Sequence, residues 1–280
     1  METIQSIVLG VVQGLGEFLP ISSTAHLVLV PFFTGWEDPG LAFDVALHAG
    51  TLLAVLAYFW KDWIVISQLT LGSVSKLKIE NSKSALDEEN SDFEKEYPND
   101  ILWLLIAATI PGVLAGYFLE DLAGSVFRNP WMIVFTLSFF GFLLYLFDKY
   151  MKQRKNIGNI GFKEAIIIGL SQAIAIIPGV SRSGVTITAS RALGLDRVSS
   201  ARFSFLLSTP IIFGATVKQF PYILNNGVDG SLIWGVVVSA VSGYLAIKYL
   251  IKFVQKSSYK IFFWYRLVLA SIIVLFIYIG

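Results

Sequence analysis

Glu17, Ser22, Ser23, Thr24 and His26 crowd one short stretch of an otherwise apolar region, and Ser181, Arg182, Ser183, Gly184 and Thr186 crowd another. The first group brings a carboxylate, hydroxyls and an imidazole, side chains that serve as general acid, general base or nucleophile. The second brings a cation between Gly179 and Gly184, residues that let backbone approach a ligand closely. A guanidinium pairs bidentately with phosphate, and the hydroxyls and N–H groups of a helix starting there add donors and a favourable dipole end. A phosphate ester held between the two groups fits this inventory, because phosphoryl transfer needs charge neutralisation and in-line positioning above all. A divalent metal bridging Glu17 to the phosphates would complete it. Gln13 precedes Glu17 by four residues, so a helix sets both on one face. Asp44 and His48 follow in the next apolar segment, with a weaker claim as cavity-lining residues. No Walker A pattern occurs, which removes support for nucleotide hydrolysis.

Plainer readings stand beside these. Ser22, Ser23 or Thr24 serves equally as a helix N-cap, Glu17 as an interfacial carboxylate, and Arg182 as a cation at a cytoplasmic interface. A cap need not exclude function, and burial would separate the two readings of Arg182. The 280 residues are 55% hydrophobic and 15% charged, with a mean hydropathy of +0.68, outside the balance of soluble domains. In a membrane, an ionisable side chain costs about 2.5–3.5 kcal/mol on insertion scales unless it faces a polar cavity, so Glu17 is read as functional. The 21 basic and 20 acidic residues nearly cancel, leaving no field to attract nucleic acid. Without cysteine there is neither a disulfide framework nor a thiolate metal site. The N-terminal residues lack a basic start and carry Glu2 and Glu17, so they read as mature structure rather than a cleaved signal.

The elements that must position these groups follow from length. A helix needs about 20 apolar residues to cross a hydrocarbon core of roughly 30 Å. Six segments supply them: Leu41 to Trp60, Ile101 to Leu119, Trp131 to Phe147, Phe203 to Phe220, Leu232 to Ile251 and Ile261 to Ile279. Two further apolar regions are broken midway by proline and small polar residues. Ile4 to Leu19 is followed by PISST and then Ala25 to Phe33, and Ile160 to Ile177 by PGVSRSG and then Val185 to Leu193. The pieces are too short to span comfortably, so two re-entrant helical hairpins are expected, with full crossings kinked at proline as the alternative.

Basic residues crowd the connections around Lys149 to Lys163 and Lys248 to Lys260, which sets both on the cytoplasmic side, whereas Phe220 to Ser231 has none. Threading the spans through these constraints makes one hairpin enter from outside and the other from inside. The expected fold is therefore an all-α polytopic membrane protein of about ten helical segments in one integral membrane domain. Its inverted-topology repeat has halves near 1–119 and 160–251 and a site at the midplane. At an offset of 159, Gly10 meets Gly169, Gln13 meets Gln172, Ser22 meets Ser181 and Thr24 meets Ser183, while Pro20 and Pro178 miss by one. Residues 61–100 read as a charged, solvated cytoplasmic loop. Arg191, Arg197 and Arg202 read as positive-inside residues, with Arg202 able to reach inward.

The motifs QGLGEFLPISSTAH and PGVSRSGVTI resemble those of the undecaprenyl-diphosphatase family, also called the bacitracin resistance protein family, and the likeness extends to FSFLLSTPIIFGAT. The resemblance implies removal of the terminal phosphate from a C55 polyprenyl diphosphate in the cell membrane, recycling the lipid carrier for envelope synthesis and conferring bacitracin resistance. It also implies a metal, usually magnesium or calcium, and a site open to the outer face. Within the matching motifs, Glu17 corresponds to the second acid, Ser23 and His26 to the serine and histidine, and Arg182 to the phosphate-binding arginine. Ser181 and Thr186 correspond to the remaining polar positions. Gln13 stands where the family's first acid is usual. An amide can coordinate the metal beside Glu17 but cannot ionise. The expected partners are a polyprenyl diphosphate lipid, the bilayer and, as a candidate, a second copy of the chain.

Two rivals compete. Inverted repeats with broken helices also suit a carrier, so a polyprenyl-phosphate flippase using the same anion site is the main alternative. An intramembrane serine protease built on Ser23 and His26 leaves Glu17 and Arg182 without roles.

Overall fold

A computed structural model describes residues 2–70, 97–119, 129–225 and 229–279. Among them are eleven α-helices and no strand: α1 (Thr3–Phe18), α2 (Ser23–Thr34), α3 (Leu41–Tyr58), α4 (Trp60–Thr70), α5 (Ile101–Phe118) and α6 (Pro130–Tyr150). The chain continues with α7 (Phe162–Ala173), α8 (Arg182–Ala192), α9 (Arg197–Asn225), α10 (Gly230–Val254) and α11 (Lys260–Ile279). Six of these, α3, α5, α6, α9, α10 and α11, are long and apolar enough to cross a membrane, and they coincide with the six segments expected from hydropathy. Their outward faces carry large apolar side chains such as Trp103, Phe135, Val241 and Ile272, as a lipid-facing surface requires.

The two broken regions form helix pairs, α1 with α2 and α7 with α8. At 1.5 Å per residue the four arms measure roughly 16–24 Å, short of a full crossing. α1 ends at Phe18, whereas α7 ends at Ala173 and passes through a 3-10 turn over Ile174–Ile176, and both breaks then meet a proline. Leu19 and Ile177 precede prolines and take extended backbone, ψ 136° and 121°, because the following ring disfavours the α region. Each second arm starts one residue after a serine with positive φ, Ser22 at 75° and Ser181 at 69°, and these are the only such non-glycine residues among those described. For an L residue that conformation costs of order 1–2 kcal/mol. The same unfavourable torsion recurs at the same step of both breaks.

Packing repeats as well. α1 lies along α10 and α7 lies along α5, while α3 packs against both α9 and α10. The approach is close enough to require glycine: a Cβ on Gly10 would strike the backbone of Gly235 in α10, and one on Gly169 would strike that of Ala108 in α5. α6 and α11 pack on each other.

The charged loop expected at 61–100 differs at its ends; residues 71–96 lie outside those described. Residues 60–70 are helical, because Val65 and Ile66 are buried and Asp62, also buried, binds the guanidinium of Arg202 and the hydroxyl of Tyr97. Arg191 and Arg197 are likewise more than positive-inside markers. Arg191 is fully buried and shares the Asp148 carboxylate with Arg197, at 3.2 and 2.7 Å, while Tyr259 donates its backbone N–H to the same group. These networks tie α4 to α9, and α6 to α8 and α9, with no part in the polar breaks.

Candidate functional site

The two breaks meet. The Gly179 N–H donates to Ser22 Oγ at 3.0 Å, and Ser183 Oγ donates to the Leu19 carbonyl at 3.2 Å, so each tip satisfies a backbone group of the other. Arg266 of α11 clamps them from behind. It is fully buried, its Nε donating to the Pro20 carbonyl at 2.6 Å and its Nη1 to the Val180 carbonyl at 3.3 Å, one bond per tip. Sequence reasoning missed Arg266, although a lone cation midway along an apolar span is itself a signal.

Glu17 is the hub. The last turn of α1 holds it at 6% exposure. Its Oε2 accepts from Ser23 Oγ at 2.7 Å and from Gln13 Nε2 at 3.0 Å, and its Oε1 accepts from Arg182 Nη2 at 2.8 Å. The i, i+4 spacing of Gln13 and Glu17 therefore does what helix geometry dictates. Arg182 is fixed at its other nitrogen, Nη1 donating to the Ser204 carbonyl of α9 at 2.8 Å. A buried carboxylate with an arginine 2.8 Å away and three protein donors is electrostatically satisfied, which explains how an ionisable pair survives at this depth.

The other expected residues separate into wall and support. Glu17, Ser23, Thr24, Ser181 and Arg182 line a cavity of about 460 Å³. Ser181 accepts from the Gly184 N–H at 3.1 Å as the N-cap of α8, and Thr24 lies 3.3 Å from Ser22 Oγ. Ser22, Ser183 and Thr186 stand outside the cavity wall. Thr186 bonds the Ser204 hydroxyl at 2.7 Å and so fastens α8 to α9 behind Arg182, while Gly184 makes room for Arg266.

The two histidines exchange the prominence expected of them. His26 points away from Glu17, with Nδ1 2.7 Å from the Ser22 carbonyl, Nε2 2.7 Å from the Tyr265 hydroxyl, and its ring stacked on that of Tyr265. His48 lines the cavity and brings Nε2 to 3.4 Å from Glu17 Oε2, while its Nδ1 donates to the Asp44 carbonyl at 2.7 Å. Asp44 lines the same cavity. Position along the sequence favoured His26, which is nearer the serines; its rotamer and the approach of α3 decide otherwise.

The remaining walls come chiefly from the first half of α3, the last halves of α5 and α9, and the end of α7 with the residues after it, including Val113, Tyr117, Gln172, Ile176, Ile211 and Lys218. The cavity is thus polar at the tips and apolar along α5 and along Ile211 to Ala215 of α9, with Lys218 and Gln219 farther along α9, a form suited to a ligand with a charged head and a greasy tail.

Residues 6–272 match the protein family described as bacitracin resistance protein BacA. An undecaprenyl-diphosphatase of Pelotomaculum thermopropionicum is 47% identical over 268 residues, covering 96% of this chain and 94% of its own length. That of Desulforudis audaxviator is 47% identical over 274 residues, covering 98% and 97%, and that of Moorella thermoacetica 44% identical over 274 residues with the same coverage.

Proposed function

The chain belongs to the bacitracin resistance protein BacA family, and on that premise we propose that it hydrolyses undecaprenyl diphosphate to the monophosphate and inorganic phosphate. It acts as a multi-pass membrane phosphatase that returns the lipid carrier to envelope synthesis and thereby confers bacitracin resistance. The observation that carries this reading is the Glu17 carboxylate, which binds Ser23 at 2.7 Å and Arg182 at 2.8 Å on the wall of one cavity. A hydroxyl with an adjacent base and an adjacent guanidinium is an arrangement for transferring a phosphoryl group.

In this reading Ser23 Oγ attacks the terminal phosphorus, the bond from that phosphorus to the bridging oxygen breaks, and the lipid monophosphate leaves. The serine proton passes to Glu17. Water then cleaves the phosphoserine, releasing inorganic phosphate and restoring the Ser23 hydroxyl. Arg182, with Ser181 and Thr24 beside it, neutralises and orients the phosphates. His26 supports the first tip through the Ser22 carbonyl, and His48 steadies the hub from the cavity side.

A divalent cation, Mg2+ or Ca2+, fits here only as an ion shared with substrate. No group of three or more acidic or histidine ligands occurs among the described residues. Glu17 Oε1, with a single protein donor, keeps acceptor capacity, and Gln13 Oε1, buried and without a hydrogen-bond partner, is a neutral ligand atom one turn away on the same helix face. Those two residues would hold the ion, Glu17 from the cavity wall and Gln13 from behind it. When bound it would offset the diphosphate charge.

Charge placement supports entry from the outer face. The cavity walls belong to the ends of α3, α5 and α9 farthest from the lysine-rich connections that follow α6 and α10. The test is phosphate release from undecaprenyl diphosphate by protein purified in detergent with Mg2+. Glu17→Ala and Arg182→Ala should each abolish it; full activity in either would end this assignment. Detergent removes sidedness, so a flippase alone would release nothing.

A further inference from the structure

The internal repeat sets Gln172 of α7 where Gln13 stands in α1, and the two glutamines are used differently. Gln13 lies off the cavity wall and gives its Nε2 to Glu17. Gln172 is 3% exposed and lines the cavity, yet neither Nε2 nor Oε1 of its side chain has a hydrogen-bond partner among the described residues. Burying an amide with both ends unpaired carries a desolvation penalty, and unsatisfied buried polar groups in folded proteins are few. The neighbouring helix leaves room here: a Cβ on Gly112 of α5 would come within 2.8 Å of Ile211 Cδ1 and 3.1 Å of Gln172 Nε2, so glycine there keeps space that both side chains occupy.

We propose that Gln172 is a substrate-binding residue whose Nε2–H donates to a phosphate oxygen of the diphosphate, on the wall shared with Ser181 and Arg182. Its Oε1 then accepts from water that enters with the charged head. This rests on the phosphatase reading and extends it, because it names a neutral donor that the recognised motifs do not contain. A neutral amide suits the position: it donates to an anion without adding charge to the Glu17–Arg182 pair.

The test compares Gln172→Leu and Gln172→Glu with the wild-type chain in detergent, reading kcat/KM for undecaprenyl diphosphate, inhibition by inorganic pyrophosphate, and thermal unfolding with and without pyrophosphate. The expected result for Gln172→Leu is a roughly 10- to 100-fold fall in kcat/KM, the scale of one hydrogen bond to a charged group. Weaker pyrophosphate inhibition and an unfolding temperature unchanged or raised should accompany it, because the fold loses no bond. Gln172→Glu should fall further, since a carboxylate cannot donate and repels the phosphate. Wild-type kinetics in Gln172→Leu would overturn the proposal, and so would failure of both variants to fold, which would make the amide structural. If the wild-type chain releases no phosphate, the phosphatase reading fails on its own. Pyrophosphate stabilisation then still decides: present in wild type and lost in Gln172→Leu supports the assignment, and equal or absent in both refutes it.

Discussion

The two hairpin tips share a backbone and divide the chemistry. Both follow a proline, both turn through a serine with positive φ, and both restart a helix one residue later. At that first helical residue one tip carries Ser23 and the other Arg182, and the two side chains donate to opposite oxygens of one carboxylate. Duplicating a strained turn thus supplies two equivalent vantage points on the same spot, and changing a single residue makes one reactive and the other electrostatic. The asymmetry extends outward. Ser181 caps its own helix, whereas Ser22 gives its oxygen to the Gly179 N–H of the opposite tip.

The comparison breaks most completely if the shared carboxylate is dispensable. Glu17→Gln keeps the size of the hub but removes its charge and its capacity to take the serine proton. Phosphate release should fall by about 10²–10⁴-fold in kcat, the usual contribution of a positioned base. Trapping with labelled substrate should find phosphoserine at position 23 in the wild-type chain and none in the variant.

The difference between the two turn serines can be sharpened by glycine. Ser181→Gly relieves the positive φ and loses a cap that glycine replaces within a few tenths of a kcal/mol, so its unfolding free energy should stay level or rise by up to about 1 kcal/mol. Ser22→Gly relieves the same torsion but strands the buried Gly179 N–H, at a cost of about 1–3 kcal/mol, so denaturation in detergent should show it less stable than Ser181→Gly by about that amount. Equal effects at both sites would mean the cross-tip bond contributes nothing.

The smallest effect concerns His26. If it acts by holding the Ser22 carbonyl in register while Tyr265 fixes its ring, Tyr265→Phe should lower kcat several-fold, as loss of one hydrogen bond worth about 1 kcal/mol would, and leave KM unchanged. No change in kcat would detach Tyr265 from the site.

Much of this arrangement is legible in the sequence, for identifiable reasons. The six spans follow from hydropathy alone, and the two breaks from prolines followed by small polar residues. The offset that aligned Gln13 with Gln172 and Ser22 with Ser181 also pairs the two positive-φ serines, although the second turn carries one more residue between its proline and its serine. Gln13 beside Glu17 is local helix geometry. What stayed hidden depends on rotamers and on contacts between distant helices. Asp44 and His48, one turn apart, mark the inward face of α3, but nothing in the residue types fixes which neighbour that face meets, and it is the approach of α3 to α1 that brings His48 to Glu17. Residues 61–70 read as part of a solvated loop because the acid-rich stretch that follows them sets the character of 61–100, and the partners that bury Asp62, Tyr97 and Arg202, are 35 and 140 positions away.

Arg266 has a consequence for biogenesis. It is translated after both tips, in α11, yet it bonds a carbonyl on each. A nascent chain that has inserted only as far as α10 already holds Glu17, Ser23 and Arg182 but lacks the guanidinium that joins their turns. Competence should therefore arrive with the final helix, so premature termination would leave a membrane-inserted but idle precursor rather than a loosely active one.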